Sequence, residues 1–223
     1  SYMSDSFTGG PKNMIKRYWD AMAVVRAKGK PHLFITVTCS TEWREIAREL
    51  GTYQKPQNRP DIVSRVFNAK LTALLSEIKG TSKKPGIYGT CIECLHVVEM
   101  QQRGYPHAHI AVILKDDGDL PCHASNFEKY TTAELPDEEK NPRLFELVKK
   151  LNMHPACDGE RGCATWCHNE ADECSKRFPK PLCDESSFNE DGFPQYKRRA
   201  PEDGGHSFKL GSDEVEMTKK VRK

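Results

Sequence analysis

The residues of this sequence best suited to chemistry are the histidine pair His107 and His109. Ala108 separates them, and the apolar run 110–114 follows at once. This pattern predicts a β-strand, in which residues two apart point to the same face. Neutral imidazole is a common ligand of transition metals, so the pair would aim two ring nitrogens at one cation. The alternative is that both histidines are packing or surface residues.

The segment just before this pair supplies candidates for a third ligand. Residues 92–101 alternate in the manner of a strand, and Gly104 provides a turn, which predicts an antiparallel hairpin over roughly 92–101 and 107–114. Cross-strand pairing would place Glu99 or Gln101 beside the histidines. Such a site leaves positions open on Mg²⁺ or Mn²⁺, and an open cation site can polarise a phosphoryl oxygen. The alternative for both oxygen ligands is a solvated strand residue.

Periodic apolar positions predict the elements that hold this hairpin. The clearest helix is expected over 61–79, where apolar residues form one face and Gly80 ends the pattern. A buried strand is expected over 32–38, because it is rich in β-branched residues. Further helices are expected over 11–29, 42–50, 125–133 and 142–151. Helices beside an antiparallel hairpin indicate an α+β fold.

A cysteine-rich segment follows residue 152. The chain has nine cysteines, and they cluster with histidines at uneven spacings, which favours an intracellular metal site over a secreted disulfide scaffold. The first choice for a tetrahedral zinc site is His154, Cys157, Cys167 and Cys174. The alternates are Cys163, His168 and Cys183, and the other hypothesis is a set of free cysteines. Zinc would supply folding free energy that so polar a segment lacks.

The remaining cysteines are expected to be ordinary side chains rather than ligands. They are Cys39, Cys91, Cys94 and Cys122. Small buried cysteines behave as apolar residues. The Cys91–Cys94 spacing invites a redox or zinc interpretation, but the pair lies at the start of a predicted strand, whose side chains alternate between faces.

Composition and charge narrow the class of protein. At 223 residues the chain suits one domain, or one domain with an appendage. No apolar run approaches the roughly 20 residues that cross a bilayer, and no signal-peptide pattern begins the sequence. The net charge of +2 does not by itself indicate nucleic-acid binding. Basic clusters in the C-terminal third are candidate phosphate contacts, although solvated surface explains them equally well: Lys176, Arg177, Lys197, Arg198 and Arg199.

Several motifs, taken in order, resemble those of one known family. The segments that carry the resemblance are 7–11, 17–23, 31–40, 98–109, 133–137, 146–150, 174–180 and 191–199. Segment 31–40 is similar to a first Rep motif, and segment 98–109, which contains the histidine pair, is similar to a second. The chain therefore resembles the replication-initiator (Rep, HUH-type) endonuclease domain of Helitron transposases over most of residues 5–200.

The resemblance implies a fold, a reaction and partners. It implies an antiparallel sheet of about five strands flanked by helices, with the metal histidines on a central strand and a zinc-binding appendage. The domains would be 1–151 for the nuclease core, 152–200 for the Cys/His-rich segment and 201–223 for a linker or tail. The reaction would be nicking and strand transfer of single-stranded DNA at transposon ends through a 5′-phosphotyrosine. The protein would be nuclear, with a helicase domain in the same full-length polypeptide and no membrane association.

The tyrosines depart from the family pattern. Enzymes of this kind use a tyrosine nucleophile that a lysine follows three or four residues later, and none of the seven tyrosines here has such a lysine. The sequence therefore resembles a fragment that stops before its nucleophile, and we expect it to be inactive alone.

Two other functions remain open on the sequence. One is a non-catalytic, zinc-stabilised DNA-binding module in which the histidines are structural. The other is the Rep initiator of a virus or plasmid. Thr36 and Thr38 on the first strand would contact DNA, buttress the histidines, or simply favour the strand. Tyr105 is a further candidate DNA contact, through stacking on unpaired bases.

Overall fold

The fold is described from a computed structural model. It describes residues 4, 6–7, 9–101, 104–117, 120–121, 123–154, 169, 174–178, 180–210 and 213–215. The chain forms two compact units, Ser1–Leu120 and Pro121–Lys223. The functional boundaries predicted at 151 and 200 stay predictions.

The first unit is built on a three-stranded antiparallel sheet with the order β1-β3-β2. The strands are β1 (Leu33–Thr38), β2 (Cys91–Met100) and β3 (Pro106–Leu114). The central strand β3 carries the buried residues Ile110 and Val112, each with no exposed surface. A central strand has neighbours on both edges, so its backbone groups are paired on both sides and its position is the best fixed in the sheet.

Three helices accompany this sheet: α1 (Pro11–Lys28), α2 (Arg44–Arg48) and α3 (Pro60–Lys79). The apolar face of α3 is buried through Ile62, Val63, Phe67, Leu71 and Ile78, as its 3.6-residue periodicity predicts. Gly80 ends α3 at a φ of 66°, a left-handed conformation that favours glycine. A side chain there would also meet the backbone of Gly86 and Pro85.

The second unit contains short elements: α4 (Phe127–Tyr130), α5 (Pro142–Leu151), β4 (Ser187–Phe188), β5 (Pro194–Gln195), β6 (Phe208–Leu210) and β7 (Asp213–Val215). β4 pairs with β5 and β6 with β7. Leu135 and Phe145 form a small core against Val148 and Met153. Two-residue strands bury little surface, so side-chain contacts must contribute much of this unit's stability.

The expected α+β class is confirmed, but the expected sheet of about five strands is wrong. In the described residues the main sheet has three strands, and the other four strands form two separate two-stranded ribbons. The physical reason lies in the C-terminal sequence, where proline, glycine and charged residues interrupt every apolar run after residue 152. Such segments support hairpin ribbons and do not supply strands that are buried on both faces.

The helices predicted over 11–29, 61–79 and 142–151 are confirmed to within a residue at each end. The helix predicted over 125–133 is shorter, because a 3₁₀ turn at Ala124–Asn126 precedes the four-residue α4. Among the described residues, no helix is both long and apolar enough to cross a membrane.

Candidate metal centre

The strand register brings the predicted ligands to one place. His107 lies opposite Thr38 on β1 and opposite Glu99 on β2, while His109 lies opposite Thr36 and Val97. Directly opposed residues of an antiparallel pair point to the same face. One ligand atom from each of Glu99, His107 and His109 lies within 4.8 Å of the others. The three side chains therefore form a group that could hold a metal ion.

Two threonines on the neighbouring strand β1 contact the two imidazoles of β3. Thr38 Oγ1 lies 2.9 Å from His107 Nδ1, and Thr36 Oγ1 lies 3.2 Å from His109 Nδ1. In a neutral imidazole one nitrogen donates and the other accepts. When each Nδ1–H donates to its threonine, each Nε2 keeps a lone pair for a metal. A hydroxyl can donate as well as accept, so these contacts orient both rings and fit either tautomer.

Glu99 completes the group on the β2 side. Its Oε1 lies 3.0 Å from His109 Nε2. Neighbouring ligands of an octahedral Mg²⁺ or Mn²⁺ are also separated by about 3 Å, since the ligand bonds are about 2.1 Å long and meet at right angles. When Nε2 carries the proton, it donates to this carboxylate. When Nδ1–H donates to Thr36 instead, the lone pair on Nε2 and the carboxylate oxygen both face the same space. A cation there would satisfy both acceptors.

Gln101 lies beside the group in a different role. Its side-chain amide nitrogen is 3.2 Å from His107 Nδ1, the ring nitrogen that Thr38 also contacts. An amide nitrogen only donates, so this contact forms when Nδ1 accepts. When Nδ1–H donates to Thr38, the amide must turn so that its oxygen faces the ring. His107 is only 8% exposed, so these two partners hold a nearly buried ring. Of the two oxygen ligands left open by the sequence, Glu99 contacts His109 and Gln101 orients His107. The identity of the third ligand stays a prediction, and the geometry favours Glu99.

Sequence reasoning missed Phe34, which also belongs to this face of the sheet. Its ring stacks on His109 with centroids 5.3 Å apart and planes 19° apart. The signal was present in the sequence, because Phe34, Thr36 and Thr38 are two apart on one strand and must share a face.

The second predicted metal site is only partly within the described residues. Cys174 Sγ lies 3.3 Å from His154 Nε2, near the roughly 3.6 Å that separates sulfur and nitrogen ligands of a tetrahedral zinc. His154 is 3% exposed and stacks on Phe178 with centroids 4.2 Å apart.

The other predicted zinc ligands and two of the alternates lie outside the described residues: Cys157, Cys167, Cys163 and His168. The alternate Cys183 donates its thiol proton to the carbonyl of Tyr196, at 3.0 Å.

The buried thiols of the first unit have the character expected of ordinary side chains. Burial raises the pKa of the Cys39, Cys91 and Cys94 thiols. A raised pKa disfavours the thiolate, which is the form that binds metals and attacks disulfides. That these three cysteines are not ligands stays a prediction, and Cys122 lies outside the described residues.

Comparison with known families places the chain. Residues 1–112 match the family described as "Helitron helicase-like domain at N-terminus". The chain belongs to this family. The match spans β1, β2 and most of β3, so it includes the threonines, Glu99 and both histidines of the candidate centre. No match was found among curated proteins.

Outside the matched part of this Helitron-like chain, three of the basic residues predicted to bind DNA have partners within the second unit. Arg199 donates to both carboxylate oxygens of Glu134, each at 2.8 Å. Lys197 lies 3.4 Å from Glu128. Arg198 is 6% exposed and donates to the carbonyl of Ala133 at 3.4 Å, and burial lowers the pKa of its guanidinium. This arrangement supports a structural role for Arg198 and Arg199, and DNA contact by the group stays a prediction.

The other predicted DNA contacts are placed on the surface. Lys176 and Arg177 are exposed, and Arg177 adopts a left-handed φ of 55° directly after the Cys174 turn. Tyr105 is half-buried in the turn before β3, where its carbonyl accepts the backbone N–H of Gln101 at 3.0 Å.

Proposed function

We propose that this chain is the metal-holding part of a single-stranded DNA nicking and strand-transfer domain of a Helitron-like transposase. The observation that carries the proposal is the convergence of Glu99, His107 and His109 on one face of the sheet. The family match supplies the context of a transposase-related, nucleic-acid enzyme. We further propose that the full protein acts in the nucleus and carries a helicase domain elsewhere.

In this proposal the cation at the centre is Mg²⁺ or Mn²⁺. Two imidazoles and one carboxylate fill half of an octahedral shell and leave the rest for water and a phosphate. When bound, such a cation would polarise the scissile phosphate and stabilise charge on its non-bridging oxygens. By accepting from the two Nδ1–H groups, Thr36 and Thr38 would leave the two Nε2 atoms available to the cation. The exposed carboxylate of Glu99 would leave the open side of the centre facing solvent, where DNA can approach.

The nucleophile in this proposal is a tyrosine that is none of the seven in this chain. It would attack the phosphorus, form a 5′-phosphotyrosine and release a 3′-hydroxyl. The phosphotyrosine retains the bond energy of the broken phosphodiester, so a new 3′-hydroxyl can later displace the tyrosine. Accordingly, we expect no covalent DNA adduct on this chain alone. An adduct mapped by mass spectrometry to one of its tyrosines would contradict this part.

We also propose a zinc site of His154, Cys157, Cys167 and Cys174 in the second unit. The support is the 3.3 Å contact between the first and last members and the match of that distance to tetrahedral geometry. Its role would be structural, because four protein ligands leave no position for a substrate.

Thermodynamic coupling between cation and DNA tests the function. If a scissile phosphate completes the shell of the cation, Mn²⁺ must tighten the binding of single-stranded DNA, and DNA must tighten that of Mn²⁺ by the same factor. We expect this coupling in the parent chain and its loss in the His107→Ala/His109→Ala variant. His96→Ala, on an exposed histidine of β2, is the matched control and should keep the coupling. If DNA affinity does not change with Mn²⁺ in any of the three proteins, the non-catalytic DNA-binding module is favoured instead.

A further inference from the structure

Phe34 is unusually exposed for a large aromatic residue in a β-strand. It is 71% exposed, whereas its strand neighbours Leu33 and Ile35 are half-buried on the opposite face. Isolated exposed apolar residues are common, but this one adjoins the candidate metal centre. It lies two residues before Thr36, and its cross-strand partner is Ala111. The small side chain of Ala111 leaves the ring without a bulky neighbour across that strand pair.

The orientation of the ring is defined by the metal ligand beside it. Phe34 and His109 are nearly parallel, with planes 19° apart and centroids 5.3 Å apart. One face of the phenyl ring is therefore directed toward the imidazole. The large exposed fraction of the side chain leaves the other face open to solvent. A flat molecule laid on that open face would continue the stack of Phe34 on His109.

Unpaired nucleobases are the flat groups that such a surface fits. Proteins hold single-stranded nucleic acid by stacking bases on aromatic side chains, and the interaction tolerates any base sequence because every base has a π face. Bases in a duplex have their faces covered by their neighbours. A base on Phe34 would also place its sugar and phosphate next to the ligands His107, His109 and Glu99.

We propose that Phe34 is a stacking platform for one unpaired nucleobase next to the phosphate held at the metal centre. This inference rests on the proposed function, because it takes single-stranded DNA as the molecule at that centre. It adds a base-binding position to the phosphate position, and it predicts that the site selects unpaired over paired DNA.

The test uses the full chain and a short single-stranded oligonucleotide carrying 2-aminopurine, whose fluorescence falls on stacking. Phe34→Leu keeps apolar bulk against His109 but removes the π face. In the parent chain we expect bound 2-aminopurine to be quenched. In Phe34→Leu we expect no quenching and a loss of oligonucleotide affinity of about 5- to 150-fold, as for other single base–aromatic stacks. Phe34→Trp should retain both the quenching and the oligonucleotide affinity. Tyr53→Leu is the matched control, since Tyr53 is an exposed aromatic (96%) in a loop of the same unit, and it should change neither.

Mn²⁺ affinity without DNA separates this proposal from its alternatives. In Phe34→Leu it should equal that of the parent. If Mn²⁺ affinity falls while quenching survives, Phe34 only positions His109 and the proposal is overturned. Unchanged oligonucleotide affinity in Phe34→Leu, no quenching in the parent, or equal binding of paired and unpaired DNA would also overturn it. If Phe34→Leu loses quenching but Mn²⁺ does not tighten DNA binding in any of the proteins, the stacking role of Phe34 is supported and the proposed metal-dependent function is contradicted.

Discussion

The two regions proposed to bind metal differ in what holds their side chains in place. The candidate metal centre of the first unit, called the sheet centre below, is positioned by backbone pairing. Strand β3 lies between two strands, and its register places His107 and His109 beside the other residues of the centre: Thr36, Thr38 and Glu99. In the second unit, His154 and Cys174 are twenty residues apart in sequence. The contacts around them include a ring stack and a turn, and neither residue lies in a β-strand.

This difference indicates that the first unit folds before it binds metal, whereas the second unit needs metal in order to fold. At the sheet centre the ligands converge because the sheet forms, so we expect the first unit to fold without a cation and to bind one reversibly. In the second unit, the described strands are two or three residues long, and the described core is small, with Leu135 and Phe145 buried against Val148 and Met153. Structural zinc contributes free energy to the folding of such segments directly. We therefore expect the second unit to depend on zinc.

The largest effect should come from removing a zinc ligand. Cys174→Ser should lose the bound zinc measured by native mass spectrometry. It should also abolish hydrogen-exchange protection in the second unit, because structural zinc sites contribute about 10 kcal/mol or more. The amides of β3 should remain protected. Cys183→Ser is the matched control and should keep its zinc, since that thiol donates to the carbonyl of Tyr196. Equal loss of protection in β3 would remove the distinction between the two regions.

The next effect concerns the threonines behind the histidines. Thr36→Val/Thr38→Val preserves side-chain shape and strand preference but removes both hydroxyls from the Nδ1 atoms. Partners of metal ligands are typically worth 10- to 100-fold in affinity, so we expect Mn²⁺ affinity to fall about that much, with an unchanged melting temperature. Thr90→Val, beside the far end of β2, should leave Mn²⁺ affinity as it was. Unaltered affinity in the double variant would mean that the threonines only favour the strand.

The smallest effect concerns an ion pair of the second unit. Arg199 lowers the pKa of the Glu134 carboxyl by hydrogen bonding, so the folded pKa lies below the unfolded value of about 4.3. The stabilisation is therefore complete above that value and is lost as pH falls through the folded pKa. Glu134→Gln should cost about 1–3 kcal/mol of unfolding free energy near pH 7.

Denaturant unfolding at several pH values measures this difference. The gap between parent and Glu134→Gln should narrow as the solution is acidified below about pH 4. Glu138→Gln controls for loss of one negative charge on the same segment, because the side chain of Glu138 is exposed to solvent. A gap that is constant with pH would show that the charge on Glu134 does not stabilise this unit.

The sequence predicted the sheet centre well because its information is local and periodic. Alternation around His107 and His109 determined the shared face, and a short turn at Gly104 determined which residues of β2 lie opposite. The spacing of Phe34 from Thr36 and Thr38 indicates their shared face, but the exposure of Phe34 is not readable, because an exposed phenylalanine looks the same in sequence as a buried one. The sheet's size was overestimated because strand pairing between distant segments depends on long-range contacts, which local patterns do not report. The zinc ligands stay predictions for a related reason, since uneven spacings do not determine which cysteines meet.

Calorimetric titration of Mn²⁺ tests the central claim most directly, with zinc already bound to every sample. The account predicts binding of one Mn²⁺ per chain in the parent and none in His107→Ala/His109→Ala, with weakened binding in Glu99→Gln. Binding that is equal in parent and double variant, or absent from both, would contradict the account and make the histidine pair structural.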